Sequence, residues 1–100
     1  MTFQKVIDRQ IQLRNWIDEN FRPMKRFQNS WSSMLLLRIV QRYFPDVSHE
    51  EFKQAMFACG YFADCTKCDE YYTKVYFNVS QTSIDRVREK SQYMTKERNG

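Results

Sequence analysis

The stretch from Ser48 to Gly60 carries both ends of a helix, and it constrains the fold more than the rest of the chain. Ser48 is followed three residues later by Glu51. In that pattern a serine side chain caps a helix start and a glutamate reaches back to it. Val47 before the cap and Phe52 at the fourth helical position are spaced to close over the start. Phe52, Ala55, Met56 and Cys59 then make an apolar stripe. Gly60 stands where a chain leaves a helix through the left-handed region.

A strand pattern follows. Tyr71, Thr73, Val75, Phe77 and Val79 alternate with Tyr72, Lys74, Tyr76 and Asn78, as in a half-buried strand. Tyr61-Phe62-Ala63 begins an earlier strand. The polar segment from Asp64 to Glu70 between the two predicts a hairpin.

Two helices precede this block. The first spans about residues 2 to 20, with Phe3, Val6, Ile7, Ile11, Leu13, Trp16 and Ile17 spaced three and four apart. The second runs from about Trp31 to Phe44, capped by Asn29 or Ser30 and ended by Pro45. Residues 20 to 29 connect them, with Pro23 breaking the first helix. A last helix starts near Ser80 to Ser83 and places Ile84 and Val87 on one side, with Met94 as a further candidate. The short turn Pro45-Asp46-Val47 sets the second and third helices at a steep angle.

Helix, helix, tight turn, helix, hairpin is the order of a winged helix-turn-helix. The expected fold is therefore α+β, a small winged-helix-like domain of three helices, a β-hairpin and a C-terminal helix. One domain covers residues 1–95, and 96–100 form a frayed tail. One hundred residues suffice for one modest core, and an aromatic content of 16% argues for a folded chain.

Charge and cysteine usage narrow the setting. The chain holds 16 Lys+Arg against 12 Asp+Glu, a net charge of +4. That balance permits contact with phosphates. The longest apolar run, Met34 to Leu37, is far short of the roughly 20 residues of a membrane span. Met1 to Lys5 run straight into an amphipathic pattern, so no signal peptide is expected. Three cysteines make a poor disulfide framework, so a reducing, cytoplasmic compartment is expected. Asn78-Val79-Ser80 matches a glycosylation sequon that has no meaning without secretion.

Candidate contacts follow from the fold. In a DNA reader the third helix would enter the major groove through His49, Glu50, Lys53 and Gln54. Glu50 and Glu51 stand where phosphates would approach, which argues against ordinary groove reading. The nucleic-acid candidates are Lys53 and Gln54 for base edges, with Arg22, Lys25, Arg26, Lys67 and Lys74 for phosphates. Phe21, Met24 and Phe27 lie between the connector's charges. Tyr72 and Tyr76 share one face of the second strand. They are placed to stack on unpaired bases, to anchor a protein interface, or to pack under the last helix. A protein-binding site would draw on Glu50, Tyr61, Tyr72 and Tyr76, with Lys67.

Cys65-Thr66-Lys67-Cys68 is half of a zinc pattern. Cys59 and His49 complete a Cys3His set only if the third helix and the hairpin converge. A second close ligand pair is missing, so no metal or other cofactor is the preferred reading and zinc the lesser alternative. No nucleophile–base motif and no glycine-rich phosphate loop appears, with Gly60 and Gly100 the only glycines. No enzyme activity and no small-molecule substrate is expected.

Two blocks carry a resemblance. Phe52-x-x-Ala55-Met56-x-x-x-Gly60-Tyr61, followed by Tyr76-Phe77-Asn78-Val79-Ser80-x-x-Ser83-Ile84, resembles small proteins carried by phages and integrated mobile elements of bacteria. The likeness covers roughly residues 30 to 84. The group has no established activity and no defined functional residues, so it implies a setting rather than a site. Proteins of such elements are commonly regulators, DNA-packaging accessories or inhibitors of host defence. Three readings stay open in a bacterial host cytoplasm. The first is a non-enzymatic nucleic-acid-binding accessory or regulator. The second is an anti-CRISPR-like inhibitor that binds a nuclease or its guide-RNA complex. The third is a zinc-stabilised interaction module.

Overall fold

The computed structural model describes residues 3–64 and 74–99, with side chains described over 7–64 and 74–90. The elements are α1 (Phe3–Asn20), α2 (Ser33–Val40), α3 (His49–Ala58), β1 (Ala63–Asp64), β2 (Tyr76–Phe77) and α4 (Gln81–Asn99). The chain is α+β, and among the described residues it has four helices and one two-stranded antiparallel hairpin. Ala63 lies opposite Phe77 and Asp64 opposite Tyr76. Among the described residues no helix is long and apolar enough to cross a membrane. Helix α4 continues through residues 96–99, which the sequence assigns to a tail.

The third helix begins and ends where its capping chemistry places it. The Ser48 hydroxyl accepts the Glu51 N–H at 3.2 Å. At the other end Gly60 takes φ +92°. The Gly60 N–H reaches the Phe57 carbonyl at 3.0 Å and the Tyr61 N–H reaches that of Met56 at 3.1 Å. This pair of bonds is the Schellman arrangement, and buried Tyr61 and Met56 supply its apolar contact. The Glu51 side chain departs from the expected capping box. Its two oxygens accept Arg9 Nε at 2.9 Å and Nη2 at 2.7 Å, locking α3 to α1.

Helix α2 is shorter at both ends than its apolar run predicts. Its cap is Ser32, which accepts from the Leu35 N–H, rather than Asn29 or Ser30. The reason lies 42 residues away: the Ser33 N–H donates to the Val75 carbonyl at 2.7 Å, and Ser33 Oγ accepts the Val75 N–H at 3.0 Å. The chain is thus held extended up to Ser33. After Val40 the bonds Arg42 N–H to Ile39 and Tyr43 N–H to Val40 tighten the backbone ahead of Pro45.

Segment 75–80 is the axis of the fold. On one side it pairs with β1. On the other it binds the connector that precedes α2: the Met24 N–H donates to Asn78, the Gln28 N–H to Phe77, and the Ser80 N–H to Arg22. Pro23 and Val79 form an antiparallel bridge. Asn78 serves both sides. Its N–H donates to the Phe62 carbonyl and its Oδ1 accepts the Phe62 N–H at 2.7 Å, while its Nδ2 donates to the Met24 carbonyl at 3.3 Å. Ser80 then caps α4 by accepting the Ser83 N–H at 3.2 Å, and Ser83 Oγ accepts the Arg22 N–H. The Asn-Val-Ser-x-x-Ser run is in this way a backbone knot, with Asn78 fully engaged.

Val75, Phe77 and Val79 are buried and Lys74, Tyr76 and Asn78 half-buried, as the strand alternation requires. The core gathers Leu13, Ile17 and Phe21 with residues of α2, α3 and α4, including Leu36, Val40, Phe52, Met56, Ile84 and Val87. Each such side chain withdrawn from water stabilises the fold by about 1.5–3 kcal/mol. Ile7 and Ile11 do not join them. Both remain 50% exposed, because they lie roughly a third of a turn or more away from Leu13 around the helix.

Candidate functional site

The fold sorts the basic residues into engaged and available ones. Lys53, expected to reach base edges, is 8% exposed, and its ammonium rests on Glu50 at 2.8 Å. That ion pair holds the Glu50 carboxyl below its usual range, chiefly through the hydrogen bond and charge of Lys53. Arg22 donates Nη1 to the Asp18 and Phe21 carbonyls at 2.7 and 2.8 Å, closing the end of α1. Lys74 is half-buried and Gln54 exposed. Lys67 lies outside the described residues. Among the described candidates, Lys53 and Arg22 are therefore engaged within the fold, while Lys25, Arg26 and Gln54 are exposed.

Lys25 and Arg26 are placed differently from Lys53 and Arg22. Both are exposed, and neither makes an ion pair among the described residues. Their backbone is tied on each side. Met24 is fixed to Asn78 by its N–H and its carbonyl. Gln28 is 3% exposed, with its N–H on the Phe77 carbonyl and its Nε2 on that of Val79, both at 2.9 Å. Between these anchors Lys25, Arg26 and Phe27 all face solvent, Phe27 with 40% of its surface exposed. A connector that reads as a loop is in fact a strap with a cationic, aromatic tip.

Two further cations, in the same acid-free stretch of sequence, are also available. From Asn20 to Pro45 the chain has five basic residues and no acid. Arg38 and Arg42 lie four residues apart near the outer face of α2, exposed and without an ion pair among the described residues. The acid-free window and the four-residue spacing were legible signals for these two. Phe27 was visible as an aromatic beside charges, but its exposure depends on the strap. An array of this kind can pair with phosphate oxygens and offer a ring face to a planar group.

The protein-contact candidates fare differently. Tyr61 is 5% exposed and belongs to the core, because the glycine turn folds it back over Met56. Burial pushes its hydroxyl up to about 12. Tyr76 is half-buried and Tyr72 lies outside the described residues. Phe57 and Phe62, 50% and 69% exposed, are the aromatics that α3 and the turn into β1 present outward.

His49 and Cys59 sit at opposite ends of α3, roughly 15 Å apart along its axis, so they cannot share a metal ion. His49 is half-buried rather than a free surface residue: its Nε2 lies 2.8 Å from Ser33 Oγ. Cys65 and Cys68 lie outside the described residues. Among the described residues no three His, Cys, Asp or Glu gather closely enough to hold a metal ion.

A cleft of about 270 Å³ opens where the end of α1 meets Cys59, Gly60 and Tyr61. Burial pushes the Cys59 thiol up to about 11, with Asp18 adding to the effect. The thiol donates to the Arg14 carbonyl at 3.6 Å. A protonated, donating thiol is a poor nucleophile. Ser33 is fully buried, so its contact with His49 is structural. No protein-family model, curated protein or solved structure matches the chain.

Proposed function

We propose that this chain is a non-enzymatic nucleic-acid-binding accessory or regulator of a phage or mobile element. It would use a winged-helix-like arrangement in which α2 and α3 form the helix pair and the hairpin the wing. The observation that carries the reading is the anchored tip, whose Lys25 and Arg26 stand exposed between Met24 and Gln28 with no acid among the described residues paired to them. Arg38 and Arg42 extend the available charge. The mobile-element setting rests on the two resembling sequence blocks alone.

The contacts shift from the helix that would ordinarily read a groove. Helix α3 opens with Glu50 and Glu51, and its Lys53 is held by Glu50. Binding through the connector and α2 is therefore directed at phosphates, with base edges secondary. The test is binding to a generic duplex and a structured RNA at low and physiological salt. Affinity of about micromolar or better that falls steeply with salt, and that drops for Lys25→Glu and Arg26→Glu, supports the reading. No binding to either at low salt overturns it.

The exposure of Phe57 and Phe62 favours a second reading, a host-defence inhibitor that binds a nuclease or its guide-RNA complex. In that case Phe62→Ser abolishes inhibition of a purified nuclease while Lys25→Glu leaves it intact.

A further inference from the structure

We infer that the tip from Lys25 to Phe27 takes single-stranded nucleic acid in preference to duplex, with Phe27 stacking on an unpaired base while Lys25 and Arg26 hold the adjoining phosphates. This deepens the nucleic-acid reading and rests on it.

Three observations carry the inference. The first is rigidity. Two hydrogen bonds fix Met24 to Asn78, and two more fix Gln28 to Phe77 and Val79, so little backbone ordering remains to oppose binding. The second is the chemistry of the ring. Phenylalanine has no polar atom with which to read a groove edge, and in a duplex the base faces are already stacked on each other. An exposed Phe next to two cations gains from nucleic acid chiefly when a base presents its face, a contact worth about tenfold or more in affinity. The third is that a second aromatic stands beside a cation just beyond the strap. Trp31, three residues beyond Gln28, is half-buried with the Arg88 guanidinium 4.9 Å from its ring centroid.

Duplex binding, by contrast, lacks a reading element here. Glu50 at the start of α3 is exposed and negative, and a groove-bound helix would bring it against phosphate. The available cations can hold a phosphate backbone without distinguishing one form of nucleic acid from another. Phe27 supplies the distinction.

The experiment is fluorescence anisotropy of the full chain with labelled oligothymidine, oligouridine and a duplex of the same length, at several salt concentrations. The expected result is about tenfold or more tighter binding of a single strand than of the duplex. Phe27→Ala should remove that preference and Phe27→Trp should keep it. Lys25→Glu with Arg26→Glu should weaken all three ligands and reduce the salt slope by about 0.7 per cation on single strands. Preference for oligothymidine or for oligouridine identifies DNA or RNA as the strand. Circular dichroism checks that each variant is folded. Equal affinity for strand and duplex, unchanged by Phe27→Ala, overturns the inference and leaves the nucleic-acid reading standing. No binding to any of the three overturns that reading as well.

Discussion

Asn78 and Phe62 exchange two hydrogen bonds, one through the backbone and one in which the Asn78 side chain replaces a carbonyl. The Asn78 N–H donates to the Phe62 carbonyl at 3.2 Å, and Asn78 Oδ1 accepts the Phe62 N–H at 2.7 Å. With Oδ1 spent on Phe62, Nδ2 holds Met24 in the connector. Asn78→Ala removes both side-chain bonds and should destabilise the protein by about 1–3 kcal/mol. A lower urea midpoint with an unchanged slope is the expected result. An unchanged midpoint would show that the knot contributes nothing.

Ser33 joins three parts of the chain through one hydroxyl. Its Oγ accepts the Val75 N–H and lies 2.8 Å from His49 Nε2. Ser33→Ala leaves the Val75 N–H buried without that acceptor, at a cost of about 1–3 kcal/mol. Ser33→Ala and His49→Ala should be non-additive, with a coupling of about 1 kcal/mol in a double-mutant cycle. Strict additivity would mean that the two side chains do not interact in solution.

Gly60 isolates a backbone effect from a packing effect. Its φ is +92°, and an added Cβ meets nothing within 4 Å. Gly60→Ala should cost about 1–2 kcal/mol from the left-handed backbone alone. Gly60→Asn should cost less, since asparagine tolerates that region better. Thermal unfolding of the two variants orders them directly.

Cys59 should resist alkylation at neutral pH. Its thiol is pushed up from 9.0 to about 11, first by burial and then by Asp18. At pH 8 the thiolate fraction is about a hundredfold below that of an unshifted thiol. The measurement is the rate of iodoacetamide reaction in a chain carrying Cys65→Ser and Cys68→Ser, and the rate should climb until about pH 11. The same shift has a sign for stability. A folded value above the unfolded one contributes stability that is fully present below about pH 9 and lost as pH rises through about 11. Rapid reaction at pH 7 would place the thiol in water.

Some of this protein was legible from the sequence because the responsible chemistry is local. Ser48 and Gly60 bracket α3, Ser80 starts α4, and the buried run Val75, Phe77, Val79 follows its period of two. Each depends on neighbours within a few residues, where spacing alone determines what a side chain can reach. Lys25 and Arg26 were legible as a basic stretch for the same reason.

The rest depended on groups far apart in the chain. The capping-box glutamate Glu51 was claimed by Arg9, and the start of α2 was set by Val75, both from 42 residues away. Lys53 went to Glu50 although an exposed role was equally compatible with its position. Tyr61 entered the core because the turn at Gly60 swung it over Met56. The connector became a strap because segment 75–80 offered it hydrogen-bonding groups that the connector could not supply to itself. Sequence spacing determined the ends of α3, the start of α4 and the strand's period. Tertiary pairing decided which cations stayed available and which aromatics were buried, because a charged or ring side chain goes to whichever distant group the packed fold brings within reach.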